Sequence, residues 1–118
     1  MDYTLEERLD LIEFRQRLLF DNDDFSRLMF DHDVTRKQLA GILDLFSSLR
    51  NRIDDGEEVS SSRYELNIYE LVPQHEHNYH FAESVAQTLH EAGRFEEVFE
   101  ELYGDTPKFK SYLESHNK

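Results

Sequence analysis

The sequence contains no cysteine, which excludes a disulfide scaffold, a thiol nucleophile and any cysteine-ligated zinc or iron–sulfur centre. It holds 4 glycines and 2 prolines in 118 residues, too few for a loop-rich, collagen-like or low-complexity chain. No apolar run approaches the roughly 20 residues that span a bilayer. The opening Met-Asp-Tyr-Thr-Leu-Glu-Glu has the wrong chemistry for a signal peptide. A Gly-rich phosphate loop, a Gly-x-Ser-x-Gly elbow and a Ser-x-x-Lys motif are missing as well. Positive charge is scarce: 13 Lys and Arg stand against 26 Asp and Glu, for a net charge of -13. The excess is spread, with -6 over residues 1–33, -1 over 34–60 and -6 over 61–118. Nucleic acids and anionic membranes draw much of their affinity from cations, so neither is an expected partner. These absences lead to the expectation of a soluble, cytoplasmic protein that is not an enzyme and carries no cofactor.

What is present is helical periodicity. Residues 1–118 read as a single all-α domain of about five to seven helices, two or three of them long. Thr4 and Glu7 have the spacing of a capping box that opens a helix over about 4–20. Its stripe of Leu5, Leu9, Ile12 and Leu19 has Leu11, Phe14 and Leu18 beside it, a face wider than a two-helix seam needs. A short helix over about 23–31 carries Phe25, Leu28 and Met29. Thr35 and Gln38 repeat the box before a helix over about 36–54, whose core face is Leu39, Ile42, Leu43, Phe46, Leu49 and Ile53. Residues 54–62 are the expected long loop. Ser62 and Glu65 then suggest a capped helix over about 63–72 that stops at Pro73. Phe81, Val85 and Leu89 mark a helix over about 77–92, closed by Gly93. They are expected to pack against Phe95, Val98 and Phe99 of a segment over 94–103. Thr106-Pro107 starts a last short helix.

Three stretches carry chemistry worth weighing. Pro73 to His80 holds His75, His77 and His80 with Glu76, a possible zinc or nickel ligand set or a small-ligand site. The order Glu76-His77 breaks the His-Glu-x-x-His pattern of metalloproteases, and His90 lies too far along its helix to complete a site alone. The plainer reading is of surface histidines at a helix start. Calcium is excluded at Asp21 and Asp31, because the sixth loop position would be Ser26 or Arg36 where an EF-hand needs Gly. Residues 86–102 have the look of a tetratricopeptide turn around Gly93-Arg94-Phe95, but no second copy exists. A third option is an acidic surface that captures a basic protein partner.

The run YHFAESVAQTLHEAGRFEEVFEELYG at 79–104, preceded by YELNIYELVP at 64–73, resembles the YhaI-like family of small Bacillus proteins. The likeness extends over most of the chain, including the 35–53 helix. The resemblance implies a multihelical subunit in an intertwined homotrimer. It implies no activity, and it carries over no functional residue. From the residues themselves comes a weaker expectation of a homo-oligomer, since nine Phe and six Tyr in so acidic a chain fit buried interfaces. The combined expectation is a regulatory or protein-interaction module whose partners are copies of itself and an unidentified protein.

Overall fold

The computed structural model describes residues 4–116. Among the described residues seven helices follow one another: α1 (Leu5–Asp21), α2 (Asp24–Asp31), α3 (Arg36–Asp54), α4 (Ser61–Leu71), α5 (Tyr79–Glu91), α6 (Glu96–Tyr103) and α7 (Pro107–His116). A single 3-10 turn, Pro73–His75, links α4 to α5. There is no strand among the described residues.

The helix starts follow from local chemistry. At Thr4 and at Thr35 the hydroxyl accepts from the amide of Glu7 and Gln38, and the Glu7 or Gln38 side chain accepts from the Thr amide in return. Two orphan amides are thereby satisfied at each start. Asp23 caps α2 by accepting from the Ser26 amide at 2.8 Å. The helix α4 begins earlier than the capping-box spacing suggests. Ser60, not Ser62, is its N-cap, accepting from the Arg63 amide at 3.2 Å. Gly93 closes α5 at φ 73°, as a left-handed residue, where a glycine escapes the Cβ clash.

The core runs through α3, α4, α5 and α6. Among its innermost members are Ile42 and Phe46 of α3, Tyr64 and Ile68 of α4, Phe81, Val85 and Leu89 of α5, and Val98 and Phe99 of α6, with Met29 of α2 enclosed as fully. Leu49 is buried with them, while Leu39, Leu43, Ile53 and Phe95 are half-buried at its edge. The ring neighbours of Phe81 are His32 and His75, and Phe95 meets Phe46 at 5.5 Å. The Tyr64 hydroxyl donates to the Ala82 carbonyl at 2.6 Å, tying α4 to α5 inside the core. The helix α7 docks through Phe109 and Tyr112, both edge-on to Phe99. Lys108 donates to Glu83 of α5 at 2.6 Å.

At the other end, α1 packs on α2, and Arg36 at the start of α3 reaches its Asp10 at 3.2 Å. The molecule measures 46 × 27 × 25 Å with a radius of gyration of 15.2 Å, against about 13.5 Å for a compact chain of this length. Its accessible surface is 7717 Å², where size scaling gives roughly 6,800 Å². The shape is elongated, and some of the extra surface is apolar.

Candidate functional site

The apolar excess is concentrated on α1. Phe14 and Leu18 are buried against the chain's own helices. Leu5, Leu9, Ile12 and Leu19 lie on another face and are more than half exposed, and Phe20 beside them is 85% exposed. The large stripe read from the sequence therefore divides into an inner part and an uncovered outer part. Leu5, Leu9, Ile12, Gln16 and Leu19 are separated by alternating steps of four and three, the spacing of a coiled-coil seam. In that register Arg8 and Glu13 occupy the two flanking positions. A parallel copy would set Arg8 of one helix against Glu13 of the next. An antiparallel copy would set like charges together.

The histidines of the 73–80 stretch serve three separate roles. The His75 Nε2–H donates to the His32 carbonyl at 2.8 Å, and the ring stacks on Phe81 with centroids 4.7 Å apart. His32 in turn donates from Nδ1 to the Leu28 carbonyl at 2.9 Å. Together they form a packed corner between α2, the 3-10 turn and α5. His77 is exposed, at φ 67°, with Nε2 3.1 Å from Glu76. His80 lies 3.8 Å from Glu83, whose same carboxylate oxygen accepts from Lys108. Within one chain, the three imidazoles do not form a ligand set.

A different histidine has the convergent neighbours. His90, near the end of α5, is fully buried. Its Nδ1 lies 2.8 Å from the Tyr112 hydroxyl, and its Nε2 lies 3.6 Å from the Glu100 carboxylate. Among the described residues, His90, Glu96 and Glu100 are the group of imidazole and carboxylate ligands whose atoms all lie within 4.8 Å of one another. The turn between α5 and α6 brings them together. Gly93 and Phe95 are both left-handed, at φ 73° and 53°, and the Arg94 amide donates to the Leu89 carbonyl at 2.8 Å. This folds α6 onto α5, so residues six and ten positions beyond His90 return to it. Glu96 and Glu100, four apart, share one face of α6. Along α5 alone His90 meets no second ligand; the Gly93 turn is the signal in the sequence that a second helix comes back to it.

Burial and the charges of Glu91 and Glu96 push the Tyr112 hydroxyl up to about 12. It is therefore a neutral hydroxyl, able to accept from His90, at any physiological pH. An open cleft of about 470 Å³ lies between α1 and the start of α3, with Asp10 and Arg36 among its lining residues. Those two already pair with each other across it. No helix of the described residues is long and apolar enough to cross a membrane. Comparison with protein-family models, with curated proteins and with solved structures gives no match to this chain.

Proposed function

We propose that this chain is a self-associating helical module whose assembly surface is the outer face of α1, and whose role is protein interaction and not catalysis. The observation that supports the reading is the uncovered seam of Leu5, Leu9, Ile12 and Leu19. Large apolar side chains exposed together along one helix face, as these four are, mark an interaction surface more often than they mark solvent. Two heptads are short for an isolated coiled coil, whose helices must form as they pair. Here α1 is already helical, capped at Thr4 and anchored through Phe14 and Leu18. Assembly therefore does not bear the entropy of forming the helix. The opposed Arg8 and Glu13 favour parallel copies. The number of copies we propose is three, which rests on the resemblance of residues 64–104 to the YhaI-like family.

The test is native mass spectrometry of the full chain beside its Ile12→Asp variant. The wild type should appear near three times 14.2 kDa. Ile12→Asp should shift it to the single-chain mass, because a charge inside an apolar seam is costly. Ile12 is exposed in the subunit, so the variant should keep its helical circular dichroism. A wild type that stays monomeric at 100 µM would overturn the reading.

A further inference from the structure

We infer that His90, Glu96 and Glu100 form a binding site for a divalent transition-metal ion of the zinc class. The donor set has the chemistry such ions take: one imidazole nitrogen and two carboxylates, with room left for a further ligand. The distances are close to those required. Around a tetrahedral zinc with bonds of about 2.0–2.2 Å, neighbouring ligand atoms sit roughly 3.3–3.6 Å apart. His90 Nε2 and Glu100 already stand at 3.6 Å, and all three ligand atoms lie within 4.8 Å. A rotamer adjustment of about 1 Å at a glutamate closes the remainder.

The imidazole is the rigid member. It is fully buried, its ring lies 5.0 Å from Phe99 and 5.5 Å from Tyr112, and Tyr112 holds its Nδ1. In the tautomer whose Nδ1–H donates to the Tyr112 oxygen, Nε2 presents its lone pair toward the glutamates, and a bound ion selects that tautomer. An outer-shell partner at the second ring nitrogen is the usual support of a metal-binding histidine. The glutamates are the adaptable members. Glu100 is 46% exposed at its side chain and Glu96 is half-buried, so an ion has an entry path from solvent. Electrostatics agree. Helix α6 carries Glu96, Glu97, Glu100 and Glu101 in eight residues, and a dication offsets that repulsion.

The test is calorimetric titration of the full chain with zinc chloride, with cobalt(II) absorption as a second probe of coordination. One ion should bind per chain. Glu100→Gln and Glu96→Gln should each weaken binding at least tenfold, and Tyr112→Phe by less. Both glutamates reach solvent, so these variants keep the fold even if a substitution at buried His90 does not. The combined His75→Ala, His77→Ala and His80→Ala variant should bind zinc as the wild type does. The Ile12→Asp variant should also bind it unchanged, which separates this site from the assembly surface. No binding at a hundredfold excess would overturn the proposal. So would binding that survives the double glutamate substitution, or binding lost with the three 73–80 histidines. Under any of these three outcomes the approach of His90 and Glu100 would be a structural contact between two helices and not a metal site.

Discussion

Phe95 is the bulkiest of the described non-glycine residues at positive φ. Its φ of 53° and ψ of 39° place a bulky aromatic in the left-handed region, which Asn, Asp and Gly visit more readily. What holds it there is packing: the ring meets Phe46 at 5.5 Å and the Arg50 guanidinium lies 4.9 Å above it. The two contributions can be separated by substitution. Phe95→Ala loses the contacts and keeps the strain, whereas Phe95→Gly loses the contacts and relieves it. Urea unfolding should therefore find Phe95→Gly more stable than Phe95→Ala by about 1 kcal/mol, the reverse of their order inside a helix. A second prediction concerns protons. Burial, with the charge of Glu65, raises the Tyr64 hydroxyl well above the ordinary tyrosine range. Burial and the hydrogen bond to Glu65 raise Tyr103 in the same direction. Above pH 10 the unfolded chain releases these protons and the native state keeps them, so stability is full below pH 10 and declines as the pH climbs beyond it. Tyr64 alone should remove about 1.4 kcal/mol per pH unit in that window. Melting curves from pH 8 to 11 should show the decline, and Tyr64→Phe should flatten it.

At the scale of the element, what the sequence discloses depends on whether a helix is specified from within. The helix α3 was legible end to end, because Thr35 and Gln38 close its start and Ile42, Phe46 and Leu49 recur on one face. The helix α4 was legible in existence and wrong in its cap. Ser60, Ser61 and Ser62 are chemically equivalent, and only the burial of Tyr64 and Ile68 against the other helices chooses among them. The long loop shortens accordingly, because α4 takes Ser61 and Ser62 from it. The apolar side of α1 is wider than one seam, and the structure buries Phe14 and Leu18 while it exposes Leu5, Leu9, Ile12 and Leu19. Which half of that width faces inward is decided by α2 and α3, so no reading of α1 alone could divide it. The same limit applied to the metal site, since His90 gains its partners only when the left-handed pair Gly93 and Phe95 turns α6 back.

The whole molecule is one core to which all seven helices contribute, with the outer face of α1 uncovered at one end, and this asymmetry has a kinetic consequence. The helix α1 is tied to the rest on one side only, through α2 and the start of α3: Phe14 and Leu18 are buried there, Arg15 donates to the Phe30 carbonyl and pairs with Asp33 at 3.1 Å, and Arg36 pairs with Asp10 at 3.2 Å. A helix packed on one side and solvated on the other opens locally with a free energy below that of global unfolding. Amide hydrogens of α1 in an isolated subunit should then exchange far faster than those of α3 and α5. Copies joined along α1 would have to separate before those amides are released, so their exchange should slow as protein concentration rises. The amides around Phe46 and Val85 should ignore concentration altogether. A dilution series of deuterium uptake would thus draw a boundary along the chain, near Asn22, between hydrogens whose lifetime belongs to the subunit and hydrogens whose lifetime belongs to its neighbours.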